Sequence, residues 1–200
     1  MIKYVSRAAL AAVFLGGVAF AADQLVPAKI LLVKNNPDAT KRKITFKVKE
    51  NGSGATVVGD PTATGATLHV VLTPGGDQCF TMPTSGWSPI STLGFKYKDP
   101  ALANGAVKVA SIKKTPSGVF LVKAILKGSG TETITVLPGN PTATYGTNFA
   151  LGGGDSYCAG TGTVTPNPND EKTFKVVKDT APASCAVTAC ASPSGAFIDR

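Results

Sequence analysis

Short stretches in which every second residue is apolar, each cut off by glycine or proline, leave this chain few ways to bury hydrophobic surface other than stacked sheets. In KITFKVKE (Lys43 to Glu50), Ile44, Phe46 and Val48 alternate with Thr45, Lys47 and Lys49. A period of two places the apolar set on one face of a strand and the polar set on the other. ATLHVVLT repeats the device, with Leu68, Val70 and Leu72 against His69 and Val71. VFLVKAILKG (Val119 to Gly128) is more continuously apolar and is expected to be the more central strand. GFKYKD and TFKVVKD each set lysines beside inward hydrophobes, and Pro74-Gly75, Asp99-Pro100 and Pro138-Gly139 read as turns. With 22 glycines and 14 prolines, strands and turns are favoured over helices. The expectation is an all-β chain of roughly ten to fourteen short strands.

The strand signals come round twice. GDPTAT (Gly59 to Thr64) returns as GNPTAT (Gly139 to Thr144), and GGDQC before Cys79 returns as GGDSYC before Cys158. Phe95-Lys96 and Phe174-Lys175, Lys34 and Lys113, and Pro37 and Pro116 stand at the same spacing of about 79 residues. The spacing predicts two repeats, 26–104 and 105–184. Each half has few large apolar residues for a core of its own. One shared core is therefore expected, as a β-sandwich or a closed barrel-like sandwich with approximate two-fold symmetry.

The N-terminus reads as a signal peptide over 1–21. Lys3 and Arg7 precede the apolar run AALAAVFLGGVAF, and Ala19 and Ala21 stand three and one positions before a cut ahead of Ala22. The run is short for a spanning helix, and no later segment is long and apolar enough to span. A secreted chain, periplasmic or extracellular, is expected, with the β domain over 22–184 and an Ala/Ser/Pro-rich tail over 185–200. That tail reads as a loose strap or an unstructured end.

In an exported chain the four cysteines, Cys79, Cys158, Cys185 and Cys190, read as two disulfides. Cys79 and Cys158 occupy equivalent places in the two repeats. Joining them near a two-fold axis, with Cys185 and Cys190 pinching the tail, is the first expectation. The rival arrangement pairs Cys158 with Cys185 and Cys79 with Cys190. Cysteine spacing and a single histidine, His69, give no zinc pattern, and the glycine-rich acidic turns offer too few oxygens for calcium. No metal and no cofactor are expected.

Enzyme motifs are missing: no Gly-x-Ser-x-Gly elbow, no His-Glu-x-x-His, no Walker loop. His69 lies opposite the apolar face of its strand with no acid adjacent in sequence and reads as structural. Asp60, Asp77, Glu132 and Asp155 could meet as a hydrolase pair, but Asp77 and Asp155 also suit the turns they flank. The chain carries 20 Lys+Arg against 12 Asp+Glu, a net charge of +8, and remains basic without Lys3 and Arg7. Lys47, Lys49, Lys96 and Lys98, with Trp87 and Tyr97, form the candidate ligand-binding set for an acidic glycan or cell-surface polymer. The competing reading is that the lysines keep strand edges from pairing and that Trp87 covers the core. Nucleic acid is not an expected partner.

The run KILLVKNNPDATKRK, followed by GFKYKD and a cysteine near the C-terminus, resembles uncharacterised secreted, strand-rich proteins of environmental bacteria. The resemblance spans most of the chain after residue 21. It implies export and β-structure and carries no functional residue. A non-catalytic binding or surface protein is the leading expectation. A subunit of an assembled extracellular structure comes next, and a polysaccharide hydrolase last.

Overall fold

A computed structural model describes residues 22–191; the segment 1–21, read above as a signal peptide, and the last part of the tail lie outside the described residues. Twelve strands follow in chain order: β1 (Asp23–Leu25), β2 (Ala28–Lys34), β3 (Lys43–Glu50), β4 (Ala66–Thr73), β5 (Gly76–Met82), β6 (Trp87–Pro89), β7 (Gly94–Lys98), β8 (Val107–Lys114), β9 (Phe120–Lys127), β10 (Thr144–Leu151), β11 (Ser156–Gly160) and β12 (Thr173–Val177). They form a five-stranded sheet, β1-β11-β10-β4-β5, and a seven-stranded sheet, β12-β2-β3-β9-β8-β7-β6. All neighbours are antiparallel except β1, which runs parallel to β11. The all-β sandwich expected from the alternation is what forms, with the apolar strand β9 at the middle of its sheet.

The alternation sets the core. Ile44, Phe46 and Val48 of β3 and Val122, Ala124 and Leu126 of β9 face Leu68, Val70 and Leu72 of β4, and all are fully or almost fully buried in one hydrophobic cluster. Aromatic rings bridge the two sheets, with Phe120 to Tyr157 at 5.1 Å and Tyr145 to Phe174 at 5.6 Å between centroids. Burying one such side chain stabilises the fold by about 1.5–3 kcal/mol. Outside the strands, Ile134 and Val136 also reach the core.

The strand order has a symmetry of its own. Exchanging β2 with β8, β3 with β9 and β7 with β12 turns the run β12-β2-β3-β9-β8-β7 into its own reverse. The run β11-β10-β4-β5 behaves likewise when β4 is exchanged with β10 and β5 with β11. β1 and β6 stand outside this correspondence. The matched hexapeptides differ in conformation. GDPTAT makes one helical turn, α1 (Pro61–Thr64), because Asp60 accepts from Thr62 N at 2.8 Å and Gly65 closes it at φ 72°. In GNPTAT the side chain of Asn169 instead clasps the Thr142 backbone, accepting from its N–H and donating to its carbonyl.

The disulfides correct the first expectation. Cys79 is joined to Cys190 and Cys158 to Cys185. Cys79 on β5 and Cys158 on β11 are separated by β4 and β10, three strand spacings or roughly 14 Å, too far to bond. The tail makes the span instead. Cys185 and Cys190 are five residues apart in sequence, which in extended chain reaches roughly 16–18 Å. Residues 180–190 form a strap across the outer face of the five-stranded sheet. The Val187 carbonyl accepts from Asn148 Nδ2 at 2.8 Å, and the Thr188 carbonyl lies 2.8 Å from His69 Nδ1. Cys158, Asn148, His69 and Cys79 are a single cross-strand row, so the strap is pinned on each of the four strands it crosses.

Candidate functional site

The outer face of the seven-stranded sheet is the most distinctive chemical surface of the molecule. Every lysine that lies in a strand belongs to this sheet; the five-stranded sheet has neither lysine nor arginine in its strands. Alternation turns them outward, because the inward positions are taken by the buried apolar set; Lys114 is the exception, continuing the inward set of β8 at the sheet's end opposite Phe120. Strand register aligns them in rows. One row runs Ile30, Lys47, Lys123, Ser111, Lys96, Ser88. A second runs Lys175, Leu32, Thr45, Ile125, Val109, Lys98. Lys43 faces Lys127 across the β3–β9 seam, and Lys49 faces Leu121, which faces Lys113. Lys41, Lys43, Lys108 and Lys127 surround a shallow depression of about 580 Å³ floored by Val109 and Ile125.

Among the described residues the lysines of the strands have no acidic partner. Glu50 is the one acidic residue in the seven strands; it sits on the inward set of β3 and bonds Ser53 Oγ. Among the described residues the one lysine or arginine in an ion pair is Lys41, which lies 3.1 Å from Asp38 just before β3. Like charges directly opposite in a sheet destabilise it, and Lys47–Lys123 and Lys43–Lys127 are two such pairs on the third and fourth strands of seven. Edge protection accounts for lysine on an edge strand such as β12, not for lysine at the sheet centre.

Four of the residues singled out in the sequence, Lys47, Lys49, Lys96 and Lys98, share this face. Trp87 and Tyr97 do not. Both rings are buried, 7% and 0% exposed, and pack on each other at 5.4 Å. Trp87 Nε1 donates to the Met82 carbonyl. Burial, with the Asp99 charge adding to it, raises the Tyr97 phenol to about 12. Trp87 covers the core, and neither ring offers a face to a sugar. Lys123 and Lys127 join the site unannounced; their four-residue spacing in an apolar run was the available signal, since it keeps both on one face.

The other candidate groups are engaged elsewhere. His69 Nε2 lies 2.7 Å from Asp77 Oδ1, and with Nδ1 against the strap both ring nitrogens are occupied. Asp60 caps α1, Glu132 accepts from Ala106 N at 2.6 Å, and Asp155 holds Thr56 and Val58. Donor atoms gather at His69 with Cys79 and Cys190, and at Asp23 with Cys158 and Cys185. Both sulfurs of each group are tied in a disulfide, which leaves no thiolate to ligate. Beside the strap lies a cavity of about 450 Å³ walled by Val71, Tyr145, Thr147, Pro182 and Val187, without a charged group.

No family model matches the chain, and neither does any curated protein or solved structure at a meaningful level of similarity. Two disulfides point to a non-reducing compartment, and no helix among the described residues is long and apolar enough to cross a membrane.

Proposed function

We propose that this is a secreted, non-catalytic binding protein, built from a duplicated unit, that holds an acidic polysaccharide or other anionic cell-surface polymer on the outer face of its seven-stranded sheet. The observation that carries the reading is the unpaired lysine row on central strands, Lys47 beside Lys123 with Lys96 beyond. Such a row gives up some sheet stability and presents several cations to one extended anion. The half-buried Ile125 and Val109 between them suit the apolar faces of sugar rings. Commitment of the carboxylates and of His69 to structural bonds supports a role without catalysis.

Calorimetry with polygalacturonate and heparin is the direct test. Affinity is expected to fall steeply as salt shortens the screening length. Replacing Lys47, Lys96 and Lys123 by Gln should weaken binding about fivefold per lysine, the equivalent of about 1 kcal/mol for a basic side chain at an anionic surface. Binding indifferent to salt and to these substitutions rejects the reading. Tighter binding to anionic lipid vesicles than to either polymer would reassign the face to a membrane surface.

A second reading, a subunit that assembles edge to edge, is favoured by β5. Three of the four sheet edges are guarded: β12 carries Lys175, β6 is three residues ending in Pro89, and β1 is three residues. β5 is seven residues long with no lysine or proline. The segment 133–137 lines its first half, Leu137 N donating to the Gly75 carbonyl and Gln78 bonding Thr133 and Thr135, so the half around Thr81 is the edge on offer. Sedimentation across a concentration series, with Thr81→Lys to guard the edge, separates this reading from a monomeric binder.

A further inference from the structure

β1 enters the five-stranded sheet at an unusual place. It is the one parallel strand, and its start is fixed by backbone bonds, with Ser156 N donating to the Ala22 carbonyl at 3.0 Å. Beside it Asp155 is 1% exposed. Its Oδ2 accepts from Thr56 Oγ1 at 2.7 Å and from Val58 N at 3.0 Å. Its Oδ1 accepts from the Ala22 nitrogen at 3.3 Å, while the neighbouring Tyr157 hydroxyl gives its proton to the Thr56 carbonyl at 3.0 Å. A buried carboxylate with a single long neutral donor on one oxygen is under-compensated.

Ala22 is also the residue that the leader pattern makes the first of the exported chain. Resting on the export reading, we propose that Asp155 is the receptor for the N-terminus that leader removal creates. The peptidase of the export machinery adds water across the Ala21–Ala22 peptide bond. Hydroxyl goes to the Ala21 carbonyl carbon and a proton to the Ala22 nitrogen, which takes a further proton at neutral pH to become an ammonium. The same nitrogen that donated as a neutral amide then carries a positive charge next to Oδ1, and a charge-assisted bond replaces a weak one. Processing thereby locks β1 onto β11 and ties in the segment through Thr56 and Val58. The Gln24 side chain reinforces the tie, its Oε1 accepting from Thr56 N and its Nε2 donating to Thr56 Oγ1.

The experiment compares two secreted chains, one starting at Ala22 and one a single alanine longer, each with Asp155 and with Asp155→Asn. In the longer chain Ala22 keeps an amide N–H, so only the charge is moved away. The extra residue is expected to raise the unfolding equilibrium constant about tenfold or more with Asp155, and to leave it unchanged in the Asp155→Asn background. An equal response in both backgrounds overturns the proposal. Acylation of the α-amine gives a second measure that does not need the substituted chain to fold. At least about tenfold protection relative to an Ala-Asp-Gln peptide is expected for a buried charge-assisted pair, and peptide-like reactivity overturns the pair. Intact mass reports separately on the export reading, because a secreted chain beginning elsewhere than Ala22 removes the premise before stability is measured.

Discussion

The two sheets share a core and part company on their outer faces. Outward positions on the seven-stranded sheet carry long cationic side chains, Lys43, Lys47, Lys123 and Lys127 among them, which keep other protein segments away. Outward positions on the five-stranded sheet carry no lysine or arginine and are mostly small, with the acidic Asp23 and Asp77 on its two edge strands. A Cβ on Gly146 would lie 2.3 Å from Val187 Cγ2, so the glycine is what lets the strap lie flat there. The same period-two pattern thus produces two kinds of surface, and side-chain size and charge decide which one acquires a third layer. On this view the strap stabilises one face and the lysines leave the other open to a partner.

The largest break should come from unpinning the strap. The Cys79–Cys190 bond closes a sequence separation of 111 and the Cys158–Cys185 bond one of 27. By loop-closure entropy these are worth about 5 and about 3.5 kcal/mol before any relief from strain. Urea unfolding without reductant should therefore rank Cys79→Ala/Cys190→Ala below Cys158→Ala/Cys185→Ala in stability. Polymer binding should persist in both variants wherever they remain folded. Its loss together with the strap would break the division of labour between the two faces.

Asp179, where the strap begins, comes next. Burial pushes its carboxyl upward, but bonds from the N–H groups of Val164, Gly162 and Thr180 and from the Tyr145 hydroxyl outweigh it and hold the carboxyl below its usual value. A depressed folded value means the ionised form is bound more tightly in the native state. Its contribution is complete above the unfolded value of about 3.9 and is lost as pH falls through the lower folded value. Asp179→Ala is expected to cost about 3 kcal/mol, as for a buried charge that accepts several bonds. Asp179→Asn should flatten the acid limb of the stability profile, and an unchanged limb would show that the charge is not held there. Gly146→Ala should cost less, about 1–3 kcal/mol. Hydrogen exchange should show the loosening at the strap rather than in the core.

Much of this was legible in the residues. Alternation in KITFKVKE and ATLHVVLT fixes which side chains point inward, because strand geometry leaves no other choice. The continuous apolarity of β9 marks a central strand for the same reason: it is covered on both sides by neighbours. Disulfide pairing was legible only as two alternatives, and the rival one forms: equivalence of Cys79 and Cys158 says nothing of their distance from an axis, and two intervening strands put them out of reach. Trp87 and Tyr97 were misplaced for a related reason. An aromatic in a Pro/Ser-rich connection can cover a core or line a site, and the Tyr97 register opposite Ala110 decides it. The lysine row was half legible. Lys47 and Lys96 stand out in their strands, but only register brings Lys123 between them.

The smallest expected change in stability is the most informative about the lysine face. Lys47 and Lys123 are direct cross-strand partners, and the pair is half-buried along its stems with no acid nearby. Lys123→Glu turns a repulsive pair into an attractive one, and the protein should gain about 0.5–1 kcal/mol, less at high salt. A protein selected for stability alone would have taken that gain. The same substitution removes one cation and neutralises a second, so polymer affinity should drop more than in Lys123→Gln. Lys47→Glu should behave as Lys123→Glu does. Combining the two restores like-charge repulsion, now between carboxylates, and should return stability close to the starting value while binding stays lost. That opposition is the signature of a surface kept for a partner: stability follows the sign of the pair, and affinity follows the number of cations. If Lys123→Glu gains stability and still binds the polymer as tightly, the row is unused and the comparison between the two faces loses its functional half.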